Sequence, residues 1–190
     1  KHLDQVLPVL EVGTKVGATA TLPAVPGLKA DKVVLVGLGD TTTDEGGYPT
    51  DALRRAAGAA VRAAGKGSIA ISLPHTDDSD LAAIAEGAVS GDYTFTAHKS
   101  APGEVQDREI TVFSSLGRES APKDVLDTAA TVARNVAWAR DLVNTAPNLL
   151  YPQSFTEQVQ EVAKASSGKL TVKVLDDKAL LEGGFGGIIG

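Results

Sequence analysis

Gly37-Leu38-Gly39 follows a β-branched run, and paired glycines after a strand can open a phosphate cradle. The dinucleotide fingerprint needs a third glycine three positions on, and Thr42 stands there. The segment therefore reads as a tight turn leaving a sheet. No GxxxxGK[ST] loop occurs anywhere. Metal chemistry would fall to His2, His75 and His98, but no HExxH spacing or acidic ligand cluster accompanies them. Asp77-Asp78 beside His75 reads as a charged loop leading into a helix cap. A serine nucleophile would need an elbow, and Gly-x-Ser-x-Gly is absent. The paired carboxylates Asp176-Asp177 and Asp124/Asp127 sit where caps and solvated helix faces belong. Taken by type and spacing, these residues supply no catalytic and no metal-ligating set.

The elements that would position such groups alternate between strand and helix. Val33–Leu38 is strand-like and ends in a glycine-bearing turn. A helix then opens at Thr50 or Asp51, repeats apolar residues at Leu53, Ala57, Ala60, Val61 and Ala64, and stops at Gly65 or Gly67. Ser68–Leu73 is the next strand. A helix opened by Asp78, Ser79 or Asp80 runs through Leu81, Ile84, Ala85 and Ala88 and stops by Gly91, and Ile110–Phe113 is a further strand. This rhythm belongs to an α/β layered domain. Towards the amino terminus, Val6–Leu10 and Val16–Thr21 are both strand candidates, and Leu22-Pro-Ala-Val-Pro-Gly breaks the pattern.

Composition shifts at Gly117-Arg-Glu-Ser-Ala-Pro122. A long helix follows from about Lys123 to Val143, with Val125, Leu126, Ala129, Val132, Ala133, Val136, Ala137 and Val143 on its apolar stripe. A second helix spans Ser154–Ala165 with Phe155, Val159 and Val162 on one side. Leu170–Leu175 is strand-like, and Asp177–Leu181 makes a helical turn. The last eight residues contain five glycines, so the chain reads as cut off within its second domain.

The 190 residues are 43% apolar, 22% charged and 4% aromatic, which fits a core of Val, Ile, Leu and Ala. The formal charge of −6 and the lack of a basic run longer than Arg54-Arg55 argue against a nucleic-acid surface. No apolar run is long enough for a membrane span, and no signal peptide opens the sequence. With no cysteine, disulfides and thiolate metal sites are excluded, and an intracellular, cytoplasmic setting is expected.

Arg140-Asp141-Leu142-Val143-Asn144-Thr145-Ala146-Pro147-Asn148 remains. Residue chemistry alone explains it as a helix end: Asn144 and Thr145 satisfy freed carbonyls or turn, and Pro147 forbids helix at Ala146. Either Pro152 starts the next helix or Ser154 caps it. The word is nevertheless specific. With Ala139 before it and Leu149-Leu150-Tyr151-Pro152 and Phe155 after it, it resembles the start of the catalytic domain in the leucyl aminopeptidase (cytosol aminopeptidase) family. Two prolines usually precede the second Asn there, and Ala146 takes the first place here. Gly91-Asp92-Tyr93-Thr94-Phe95 with Lys99 resembles the family's glycine-x-Tyr-x-Phe element. Val174-Leu175-Asp176 and Gly183–Gly190 resemble its strand and glycine-rich segment.

The resemblance implies an amino-terminal, macro-like α/β/α sandwich over residues 1–120. Residues 121–190 would be the first helices and strand of a truncated α/β catalytic domain. It further implies a parent enzyme that removes amino-terminal residues such as Leu from peptides, using two divalent metal ions, zinc or manganese. The metal ligands (a Lys, several Asp and a Glu), a second Lys and a bicarbonate-holding Arg lie beyond the glycine-rich segment in that family. Residues 1–190 would then hold no catalytic or metal residue and be inactive alone. Arg140, Asp141, Asn144, Thr145, Pro147 and Asn148 would serve as a structural family motif, and the parent would be a homo-hexamer. The competing expectation is a macro-like nucleotide-binding or interaction module without peptidase activity, its ligand held by the loop after Val36. Against that, Thr41-Thr42-Thr43-Asp44-Glu45 places acidic groups where phosphate needs amide donors.

Overall fold

The computed structural model of the protein describes residues 6–8, 10, 12–40, 42–43, 46–101, 108–116 and 121–189. The chain forms two compact units, Lys1–Asp141 and Leu142–Gly190.

In the first unit, β1 (Thr19–Pro23) and β2 (Lys32–Val36) form an antiparallel pair running from Thr19 opposite Val36 to Pro23 opposite Lys32. Pro23 was expected to break the pattern, yet it closes the strand. It sits at the terminal position of a two-stranded ladder, where a missing N–H costs little. Val6–Leu10, a strand candidate by sequence, instead contains a helical turn in which the Leu10 amide donates to the Val6 carbonyl at 3.1 Å. Pro8 offers no ladder donor but is tolerated in a first turn.

The core comes from a β–α–β unit with one further helix. Helix α1 (Thr50–Ala64) begins after Pro49, whose side chain cannot cap, so neither Thr50 nor Asp51 acts as the expected N-cap. Gly65 ends α1 with φ +67°, a conformation that L side chains rarely adopt. Strand β3 (Ile69–Ile71) leads into α2 (Asp78–Asp92), and β4 (Ile110–Val112) returns parallel to β3, with Ile69 opposite Ile110 and Ile71 opposite Val112. The N-cap of α2 is Asp77, one residue before the expected openers, and its carboxylate accepts the Asp80 amide at 2.9 Å.

Leu53, Ala57, Val61, Ile71, Ile84 and Ala88 form the buried cluster, with Leu38, Tyr48, Leu73 and Val112 packed against it. Fully burying a Leu, Ile or Val stabilises by about 1.5–3 kcal/mol. Helices α1 and α2 approach closely because small residues face each other. A Cβ added at Gly87 would lie 2.1 Å from the Arg54 carbonyl oxygen, and one at Gly91 would lie 2.5 Å from that of Gly58. Charge ties the two helices as well. Arg54 pairs with Glu86 at 3.0 Å, and Arg108 donates both to Asp92 and to the Gly65 carbonyl.

Helix α3 (Ala121–Asn144) is longer than the sequence predicts at each end. Of its expected stripe only Ala129 and Ala133 are buried, whereas Val132, Val136 and Val143 are exposed.

In the second unit, α4 (Pro152–Ala165), α5 (Asp177–Glu182) and α6 (Gly186–Ile189) follow one another. Asp176 caps α5 by accepting the Ala179 amide at 2.8 Å. The expected strand Leu170–Leu175 is not one: among the described residues it pairs with no neighbour. Alternating apolar residues fit a pleat, but a strand exists only through its ladder.

Candidate functional site

A cleft of about 580 Å³ lies in the first unit beyond the carboxyl ends of β3 and β4. This is where parallel strands deliver their loops, and two of the walls follow from strand ends. Residues Ser72–Thr76 continue from β3, Phe113–Ser115 continue from β4, and Gly46–Tyr48 close the third side. Tyr48 and Leu73 pack on the buried cluster and also line the cleft, so its base is anchored in the core.

His75 spans the two strand ends. Its Nδ1 lies 2.9 Å from the Leu73 carbonyl oxygen, which can only accept, so Nδ1 carries the proton. In the neutral ring Nε2 is then an acceptor, and the Ser114 hydroxyl 2.9 Å away donates to it. Ser114 Oγ in turn accepts the Leu116 amide at 3.1 Å. Sequence reading placed His75 in a charged loop and missed Ser114 altogether. The two are 39 residues apart, and only the parallel pairing of β3 with β4 brings them together.

Asp80, read from sequence as a helix opener, is 5% exposed and lines the same cleft. Its Oδ2 accepts both the Thr76 amide at 2.9 Å and the Thr76 hydroxyl at 3.0 Å.

The other sequence candidates lie elsewhere. Gly37 and Gly39 spend their amides on the carbonyls of Ala18 and Thr14, both at 2.8 Å. A Cβ at Gly37 would lie 2.4 Å from the Lys15 carbonyl oxygen, so this turn is filled by the chain's own backbone. His98 stands edge-on to Phe95, with ring centroids 5.2 Å apart. His2 and three members of the Thr41–Glu45 run lie outside the described residues. Among the described residues no group of three or more His, Cys, Asp or Glu could hold a metal ion. No described helix is long and apolar enough to cross a membrane.

The residues quoted for the family resemblance fall into two groups. In the first unit, the Tyr93 hydroxyl donates to Asp141 Oδ1 at 2.7 Å. The Arg140 guanidinium lies 3.8 Å above the Tyr93 ring and donates to the Ser90 carbonyl at 3.2 Å. One aromatic side chain therefore holds both Arg140 and Asp141. Sequence reading cited Tyr93 and Arg140-Asp141 as separate marks, and nothing in their spacing shows the contact.

In the second unit, the residues after α3 form a tight turn in which the amides of Leu149 and Leu150 donate to the Ala146 carbonyl at 2.9 and 3.0 Å. Pro147 and Asn148 are exposed on that turn; Asn144 is the last residue of α3, and Thr145 follows half-buried. Pro152 takes the first turn of α4, and Ser154 Oγ accepts the Tyr151 amide at 3.0 Å.

Residues 1–102 match the family model described as the cytosol aminopeptidase family, N-terminal domain, and residues 137–190 match that family's catalytic domain. The chain belongs to the cytosol aminopeptidase family. Among curated relatives, a probable cytosol aminopeptidase of Streptomyces griseus subsp. griseus is 40% identical over 203 residues, covering 99% of this chain and 39% of the relative. The probable cytosol aminopeptidase of Micrococcus luteus is 43% identical over 175 residues, covering 88% and 34%. Among solved structures, a mutant tomato leucine aminopeptidase matches with a TM-score of 0.77 at 25% identity, covering 95% of this chain and 36% of that one. The bottromycin maturation enzyme BotP in complex with Mn matches with a TM-score of 0.69 at 26% identity, covering 89% and 34%. The chain thus spans roughly two fifths of the length of the cytosol aminopeptidases it resembles (39% and 40% for two Streptomyces relatives). Its α/β fold is that of the family's N-terminal domain joined to the start of its catalytic domain.

Proposed function

We propose that this chain is the amino-terminal part of a metal-dependent leucyl aminopeptidase, a hydrolase that releases residues such as Leu from the amino ends of peptides. The observation that carries this reading is the ordered match of residues 1–102 and 137–190 to the family's two successive domains. Residues 1–120 are taken as the accessory domain, macro-like in its layering, and 121–190 as the opening of the catalytic domain. The parallel β3–α2–β4 unit supports the macro-like description.

Zinc or manganese, two ions per active site, would activate water and polarise the scissile carbonyl. Their ligands are assigned to the remainder of the longer protein, and no catalytic or metal-binding role is given to residues 1–190. Arg140, Asp141, Asn144, Thr145, Pro147 and Asn148 are structural. The contacts of Arg140 and Asp141 with Tyr93 support this for the first two. The parent works in the cytoplasm as a homo-hexamer on peptide substrates, without nucleic acid or membrane. A nucleotide-binding role for the loop after Val36 gains no support, since the Gly37 and Gly39 amides are already engaged.

Hydrolysis of leucine p-nitroanilide tests the reading. The full-length protein loaded with manganese or zinc is expected to turn it over, and the 190-residue chain is not. A folded full-length protein inert with both metals would sink the proposal.

A further inference from the structure

We propose that the cleft beyond β3 and β4 binds a small ligand that carries a protonated amine on an apolar or aromatic body. The amine would sit on Asp80 and the body between Tyr48 and Phe113. This site stands apart from the aminopeptidase reading, because its test measures binding by this chain and not hydrolysis.

Three observations carry it. The cleft holds about 580 Å³, room for a small organic molecule, and its base is fixed by core residues. Asp80 is nine-tenths buried, and both hydrogen bonds to its side chain go to Oδ2. Its Oδ1 is thus left with no partner among the described residues. No buried side-chain oxygen among them lacks a partner, so Oδ1 is an atom that touches solvent, and Asp80 is a lining residue of the cleft. Finally, no Lys or Arg lines the cleft among the described residues. A carboxylate on a largely buried residue, with one oxygen unbonded and no Lys or Arg among the described lining residues, favours a ligand that brings a cation, through a short charge-assisted hydrogen bond.

A structural role accounts for half of Asp80. It lies in the first turn of α2, where a carboxylate meets the helix's positive end, and Oδ2 fixes Thr76 before the cap. The Thr76 contacts use one oxygen and leave the other without a partner among the described residues, on a residue that lines the cleft. Phe113 is 60% exposed at the mouth although it directly follows β4. With Tyr48 it offers aromatic surface to a cationic ligand.

The experiment titrates the 190-residue chain with phenethylamine, 2-phenylethanol and phenylacetate, following the backbone amide resonances of Thr76, Asp80 and Phe113. Phenethylamine is expected to give saturable shifts at all three, with the alcohol binding at least tenfold more weakly and phenylacetate not at all. Asp80→Asn keeps an oxygen for Thr76 while presenting an NH₂ to the cleft, and should weaken phenethylamine at least tenfold. Should that variant lose its fold, Phe113→Ala decides: it should weaken the amine severalfold with the melting temperature unchanged. Equal binding of the three probes, no saturable shift with phenethylamine, or undiminished binding in a folded variant would each overturn the proposal.

Discussion

Helices α1 and α4 have nearly the same length and both repeat apolar residues three or four apart, yet they end in opposite states. In α1, Leu53, Ala57 and Val61 are each 0% exposed. In α4, Phe155 is 44% and Val162 43% exposed. The contrast extends to the units that hold them. Lys1–Asp141 encloses a core, whereas no described residue of Leu142–Gly190 is buried. An amphipathic pattern states which face wants a partner, and only the fold supplies one. The first unit supplies it by bringing α2 against α1 on glycines and by placing β3 beside α1 and β4 beside α2.

The contrast would break most sharply at Leu53. Leu53→Ala removes buried methyls and leaves a cavity, so the first unit should lose about 2–5 kcal/mol in urea unfolding. A loss below about 1 kcal/mol would mean that α1 is not the centre of the core. Gly87→Ala tests the helix crossing. Its methyl would meet the Arg54 backbone oxygen at 2.1 Å, and backbone cannot swing aside as a side chain can. Separation of α1 from α2 should cost about 1–3 kcal/mol. An unchanged midpoint would show that the crossing has slack.

Sequence periodicity made most of these elements legible, because helix stripes and β-branched runs are local signals. Leu53, Val61, Leu81 and Ile84 mark the core in the sequence as they do in the structure. Pairing was not legible. Leu170–Leu175 has a strand's alternation without a ladder, and Pro23 closes a strand that its residue type argues against. The cleft was also hidden. His75 with Ser114, and Tyr93 with Asp141, are separated by 39 and 48 residues, and each pair exists only after the chain is folded. Asp80 shows a different limit: its cap-like position was readable, while its open oxygen depends on which atom Thr76 occupies. The family resemblance reached further than the chemistry of single residues because RDLVNTAPN is a long word rather than a spacing rule.

Tyr93 sharpens the comparison at the edge of the first unit. Tyr93→Phe keeps a ring beneath Arg140 and removes only the hydroxyl donated to Asp141. The hydrogen bond is to a carboxylate but half-exposed, so about 1 kcal/mol should be lost. Tyr93→Ala should lose more, since the cation–π contact goes as well. Equal losses for the two variants would show that the ring adds nothing and the hydroxyl alone holds the end of α3.

The smallest effect falls in the second unit, and there its smallness is the point. Val162 of α4 is already largely in water, so Val162→Ala in the 190-residue chain should change stability by less than about 0.5 kcal/mol. Slightly better helix propensity of Ala could even offset the loss. The same substitution in the full-length protein should cost about 1 kcal/mol or more if the rest of the catalytic domain covers this face, as burial of its methyls then becomes real. Two small and equal effects would mean that α4 stays at the surface in both settings. The exposed stripe of α4 would then be an intrinsic feature of the helix, and the difference between the two units would lie in their own sequences rather than in what packs against them.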